Sequence, residues 1–99
     1  LDRGLYTFRD RQGLEVDFVI DQGNRRFLLI EAKATRTPMP DDGRSLTRLA
    51  STMSRSDVVT RAFVVHEDTT HRSARAPLRP GVQAVGWHSL HTLLDENAC

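Results

Sequence analysis

Four side chains with chemistry to offer lie close together in the chain: Glu15 and Asp17, then Glu31 and Lys33. Each pair sits in an otherwise apolar stretch, Glu15-Val16-Asp17-Phe18-Val19-Ile20 and Phe27-Leu28-Leu29-Ile30-Glu31-Ala32-Lys33. Charges placed beside a core need partners, a metal ion or water, because burying an unpaired charge is costly. Mg²⁺ or Mn²⁺ suits such a set, since a hard cation takes oxygen ligands and commonly uses one or two carboxylates, water and phosphate. Asp17 and Glu31 would supply the carboxylates, the Ala32 carbonyl a further oxygen, and Glu15 an auxiliary one. A cation held there activates water and neutralises a phosphodiester in its transition state. Lys33 would orient or deprotonate that water, or stabilise the developing negative charge.

The elements that must position these groups are two strands and the turn between them. Strand residues alternate between faces. Glu15 and Asp17 therefore share one face of the first strand, with Val16, Phe18 and Ile20 on the other. In the second strand Glu31 and Lys33 oppose Leu28, Ile30 and Ala32. Asp21-Gln22-Gly23-Asn24-Arg25 joins the two, with Gly and Asn to supply positive φ. Residues directly opposite in an antiparallel pair share a face. Asp17 and Glu31 meet only if the loop has an odd number of residues. A turn centred on Asn24 sets Asp17 opposite Glu31 and Glu15 opposite Lys33; one centred on Gly23 sets Glu15 opposite Glu31. A two-residue turn would separate the acids.

An acid on one strand followed by Glu31-Ala32-Lys33 on the next resembles the PD-(D/E)XK nuclease superfamily. More narrowly, Tyr6-x-Phe8-Arg9-Asp10-Arg11-x-Gly13-x-Glu15-Val16-Asp17-Phe18-Val19-Ile20 with Ile30-Glu31-Ala32-Lys33-Ala34 looks like the nuclease-like C-terminal domain of unknown function of prokaryotic AAA+ family ATPases. Val16 stands where the superfamily pattern has Pro. The resemblance implies an α/β (α+β), restriction-endonuclease-like mixed sheet: a three-stranded antiparallel meander, a crossover helix, further strands and a C-terminal helix. It implies catalysis by Asp17, Glu31 and Lys33, Mg²⁺ or Mn²⁺ as cofactor, DNA as partner, and phosphate contacts from Arg36 or Arg44. ATP would bind only on a separate, attached AAA+ ATPase module.

Composition sets the frame. The 99 residues suit one domain, 1–99, read as the C-terminal piece of a longer ATPase chain. A hydrophobic content of 38% with 27% charged residues places it among globular rather than disordered chains. The net charge of +1 neither demands nor excludes a polyanion. No stretch reaches the length of a membrane span, so no membrane partner is expected. The one cysteine, Cys99, excludes a disulfide framework, and a cytoplasmic setting is expected. No Gly-rich phosphate loop, zinc-type cysteine pair or nucleophile elbow occurs. A homo-oligomer is left open.

Around this hairpin, Leu5–Arg9 alternates as a first strand and Asp10-Arg11-Gln12-Gly13 turns the chain back. Pro38 and Pro40 interrupt regular structure, and Asp41 or Asp42 is a suitable helix N-cap. Leu46, Leu49, Ala50 and Met53 then mark one buried helical face, with Arg44, Arg48 and Arg55 away from it. Ala62-Phe63-Val64-Val65 reads as a strand buried on both faces, parallel to the Leu28–Ile30 strand. His66-Glu67-Asp68 ends it as polar capping. Residues 69–80, rich in Arg, read as a surface loop. Residues 81–87 read as a last strand. A closing helix follows, capped by Ser89, with Leu90, Leu93 and Leu94 inward and Trp87 packed beneath.

Two functions of different class follow. One is a metal-dependent deoxyribonuclease. The other is a non-catalytic module that binds DNA or protein for an attached ATPase, in which Glu31 and Lys33 form a strand-end ion pair.

Overall fold

The computed structural model describes residues 4–9, 11, 13–54, 57–67 and 75–96. The strands are β1 (Leu5–Arg9), β2 (Glu15–Asp21), β3 (Arg26–Lys33), β4 (Val59–His66), β5 (Ala76–Arg79) and β6 (Val82–Gly86). The helices are α1 (Arg44–Met53), between β3 and β4, and α2 (Leu90–Glu96), after β6. The strands form one mixed sheet in the order β1-β2-β3-β4-β6-β5. β1, β2 and β3 are an antiparallel meander, β4 is parallel to β3, β6 is parallel to β4, and β5 returns antiparallel to β6. Among the described residues, the fold is therefore a mixed α+β sheet with two α-helices.

Alternation along the central strands builds a core on each face. Leu29, Ala62, Val64 and Val82 pack with Leu46 and Leu49 of α1. Leu28, Ile30, Phe63, Val65 and Val85 pack with Leu93 of α2. β3 and β4 are apolar on both sides because a helix covers each face, as parallel neighbours require. The stripe expected on α1 is present: Leu46 and Leu49 are buried, while Ala50 and Met53 flank the same cluster.

The β2–β3 turn is the odd-length one that the acids require. The pairs Phe18↔Ile30, Val19↔Leu29, Ile20↔Leu28 and Asp21↔Phe27 are all symmetric about Asn24. Gln22 N–H donates to the Arg26 carbonyl at 2.9 Å, leaving Gly23, Asn24 and Arg25 as the loop. All three have positive φ, and the Gly23 amide donates to Asp21 Oδ1 at 2.9 Å. Glycine and asparagine were expected to carry that conformation; Arg25 carries it as well, beside an ion pair with Asp57.

Several expectations are corrected. Val16 does not share a face with Ile20. It packs with Val19 in the α1-side cluster, whereas Ile20 packs on the α2 side. The cause is a β-bulge. β1 pairs Tyr6 with Val19 and Phe8 with Val16, so Asp17 and Phe18 together oppose Thr7. An extra residue shifts the alternation and kinks the strand. The 69–80 loop contains a strand, β5, at a sheet edge where Pro77 is tolerated because one side needs no donor. α1 begins at Arg44, after a 3₁₀ turn over Pro40–Gly43. Its N-cap is Gly43 with no side-chain bond, and Asp42 instead accepts the Met39 amide at 2.8 Å. Ser89 ends a 3₁₀ turn, Trp87–Ser89, directly ahead of α2. Trp87 is 56% exposed and Leu94 39% exposed, and among the described residues α2 packs inward with Leu93 and half-buried Leu90. The readings of Asp10, Gln12, Arg55, Asp68, His71, Arg72 and Cys99 fall outside the described residues.

Candidate functional site

The site lies where two neighbouring strands part. The β2–β3 ladder ends at Phe18↔Ile30. Beyond it, β2 stays with β1 through Phe8↔Val16 and Arg9↔Glu15. β3 stays with β4 through Glu31↔Val64, Ala32↔Val65 and Lys33↔His66. Continuing the register by one step sets Asp17 across from Glu31, at the crotch of this fork.

The two acids close the fork by reaching across it. Glu31 Oε1 accepts the backbone N–H of Asp17 at 3.1 Å. Asp17 Oδ2 accepts the backbone N–H of Ala32 at 2.8 Å. The reason is local. The bulge takes the Asp17 amide out of the regular ladder, and the parting strands leave the Ala32 amide without its ladder acceptor. Each would otherwise be an unpaired backbone donor. Charged acceptors make these bonds strong for their length. The N–H and C=O of one strand residue point the same way, so the Ala32 carbonyl also faces β2.

One oxygen of each carboxylate is thus committed to backbone, and the other is turned to its surroundings. Glu31 Oε2 lies 3.9 Å from Lys33 Nζ. Glu31 is only 8% exposed, whereas Asp17 and Lys33 are half-buried. Burial pushes the Glu31 carboxyl above its ordinary 4.5, and the nearby Asp17 charge pushes the same way. The Asp17 amide and Lys33 oppose this, and Glu15 adds a smaller push upward. A buried acid whose charge is disfavoured by burial and a like charge gains most from a cation.

The other candidate residues stand around this pair. Glu15 is exposed and bound to Arg9 Nε at 2.8 Å. A groove of roughly 160 Å³ beside Asp17 is lined by Thr7, Phe8, Arg9, Glu15 and Val16. Arg44 pairs with Asp41 at 2.5 Å on an exposed surface, and Arg36 is exposed in the loop after β3. Neither arginine has a described contact with the acids. Arg9 was not singled out from sequence; its ion pair with a residue of the acid motif is the signal that marks it. Among the described residues, no three His, Cys, Asp or Glu side chains converge closely enough to hold a metal ion. A cation would rest on two carboxylates, the Ala32 carbonyl and water or substrate oxygens. That oxygen-only set suits Mg²⁺ or Mn²⁺ and no softer ion.

The family model of DUF4143, a domain of unknown function, matches residues 1–87. The chain belongs to this family. No match is found among curated proteins or among solved structures. The matched span includes the whole fork, both acids and Lys33, so the site is part of the family's domain rather than an addition to it. Among the described residues, no helix is long and apolar enough to cross a membrane.

Proposed function

We propose that this DUF4143 domain is a nuclease-like module of the PD-(D/E)XK type, with a restriction-endonuclease-like sheet, acting on the phosphodiester backbone of DNA. The supporting observation is the fork: a strand pair that parts at Phe18↔Ile30, with Asp17 and Glu31 brought together at the crotch and Lys33 beside them. Asp17 and Glu31, with the Ala32 carbonyl, would hold Mg²⁺ or Mn²⁺, and Glu15 would assist from the rim. Bound there, the ion supplies Lewis-acid activation of water and of the phosphate. Lys33 orients the attacking water and offsets negative charge building on phosphate oxygens. Arg36 and Arg44 would meet the DNA backbone farther out. The domain would serve an attached AAA+ ATPase, which alone would bind ATP, in a cytoplasmic setting.

A second reading has its own support. Two backbone amides already satisfy one oxygen of each acid, and Lys33 faces Glu31. The same residues can therefore be a structural clasp in a non-catalytic DNA- or protein-binding module. Calorimetric titration with Mg²⁺ and Mn²⁺, followed by nicking assays on supercoiled and branched DNA, separates the two. The native chain, Asp17→Ala and Lys33→Ala are compared. The nuclease reading expects cation binding lost in Asp17→Ala, and nicking lost in both variants. Absence of cation binding together with identical DNA behaviour in all three leaves only the clasp.

A further inference from the structure

The two edges of the sheet are unequal. β5 carries Pro77 and Arg79, and its register is broken between them. Proline, charge and irregularity are the devices that stop an edge from recruiting another strand. β1 carries no proline and no charge before its last residue, Arg9, and the extra residue of its irregular pairing lies on β2 rather than on β1 itself. It also leaves Leu5 64% and Tyr6 56% exposed, and Phe18 on the neighbouring strand 41% exposed. Such an edge is a template for a further strand.

The hydrogen bonds show which groups of β1 face outward. The Gly4 carbonyl accepts from Asp21 N–H at 2.9 Å and so points toward β2. Strand residues alternate the direction of their N–H and C=O groups. Tyr6 and Phe8 therefore also face β2, and Leu5, Thr7 and Arg9 present theirs to the open edge. Tyr6 and Phe8 share the α1-side face through Val19 and Val16, their partners on β2.

We propose that β1 is a homodimerisation edge, pairing antiparallel with β1 of a second copy about a two-fold axis at Thr7. This register is the one in which every outward group finds a mate. Thr7 exchanges both bonds with Thr7 of the other copy, and Leu5 exchanges both with Arg9. Tyr6 falls opposite Phe8 in the closer, non-hydrogen-bonded pairs, where aromatic side chains stabilise a sheet most. A strand of another sequence could satisfy the backbone, but self-pairing also matches the aromatics twice, once on each side of the axis. That self-complementarity is what a two-fold interface demands. The axis runs perpendicular to the sheet, so both forks lie on the same side of one continuous sheet. Three strand spacings separate the two Asp17 positions, about 14 Å. A five-residue strand pair is a small interface, so association in the micromolar range is expected.

The test is sedimentation equilibrium of the 99-residue chain from micromolar to millimolar concentration, with three variants. The native chain should move from monomer to dimer. Tyr6→Lys should weaken association by about tenfold or more, by removing the aromatic pair and placing charge on the edge. Thr7→Pro should do the same by removing an outward N–H while sparing the bonds to β2. In a Cys99→Ser background, Thr7→Cys should form a disulfide-linked dimer under mild oxidation, since a hydrogen-bonded pair sets its Cα atoms about 5.5 Å apart, within disulfide reach. Val59→Cys, exposed at the far end of β4, should not. A chain that stays monomeric at millimolar concentration overturns the proposal. So does a dimer that survives Tyr6→Lys and leaves Thr7→Cys unlinked. Should Thr7→Pro fail to fold, the lysine and cysteine variants still decide.

Discussion

Replacing Asp17 by Asn isolates the tension built into the fork. The Asn side chain keeps a carbonyl oxygen for the Ala32 amide, so the clasp across the strands survives. It removes one of two facing negative charges, and the remaining one, on Glu31, is already disfavoured by burial. The hydrogen bond to Ala32 changes from charge-assisted to neutral, a loss of about 1 kcal/mol. Directly opposed strand residues hold their side chains on the order of 5 Å apart. At an effective dielectric near 20 the repulsion relieved is about 3 kcal/mol. Solvent around the half-exposed Asp17 and the Lys33 ammonium cut that figure substantially, to roughly 2 kcal/mol. The balance is a gain of about 1 kcal/mol for the variant without divalent cations, or roughly 4–8 °C in Tm for a domain of this size. The assay is thermal unfolding by circular dichroism at neutral pH and low salt, in EDTA and then in millimolar Mg²⁺. In EDTA the variant should melt above the native chain. With Mg²⁺ the native chain should rise and the variant should not, because ligand binding stabilises only the state that binds. A variant less stable than the native chain in EDTA would refute the reasoning: the acids would then be cooperating as structure rather than repelling one another.

The remaining predictions concern the same fork and the frame around it. Glu31 sits above its ordinary 4.5, so its contribution to stability is fully present below that pH and is lost as pH rises through the raised value. Chemical denaturation of the native chain and Glu31→Gln across mildly acidic to neutral pH should show the native chain losing ground to the variant as pH rises; the opposite slope contradicts the burial argument. Cation affinity should instead increase with pH in the native chain, since binding needs the ionised form, and titrations at two pH values check this. Leu29→Ala should cost about 2–5 kcal/mol by opening a cavity beneath α1, measured by urea unfolding, since Leu29 is fully buried against Leu46 and Leu49. Gly23→Ala should cost about 1 kcal/mol despite open space around the new Cβ, because φ is +81° there; unfolding curves that overlay the native ones would count against a backbone origin.

Much of this architecture was legible in the chain because it rests on short-range rules. Residues 15–20 are a strand that opens on alternating polar and apolar residues, and 27–33 a strand in which an apolar run closes on Glu31-Ala32-Lys33. An odd loop was expected because Asp17 and Glu31 share a face only across one, while Gly23 and Asn24 supply residues that accept positive φ. α1 is helical because Leu46, Leu49, Ala50 and Met53 recur at helical spacing. β4 is interior because Ala62–Val65 offers no polar face. Sequence narrowed the pairing to two registers, one setting Asp17 and the other Glu15 opposite Glu31, and the observed register about Asn24 selects the first.

What only the tertiary structure decided involves two elements at once. The bulge at Asp17-Phe18 is a mismatch between β1 and β2, visible in neither strand alone, and it overturned the expected facing of Val16. β5 is a strand only because the β6 edge was open to receive it, which no local propensity of a Pro- and Arg-rich segment discloses. Trp87 lies exposed in the 3₁₀ turn ahead of α2 rather than under the helix. The reciprocal capture of the Asp17 and Ala32 amides exists because the strands diverge and leave donors that must be paired. Sequence placed two carboxylates within reach of one another; the parting of the sheet determined that each would spend one oxygen on the backbone and turn the other outward.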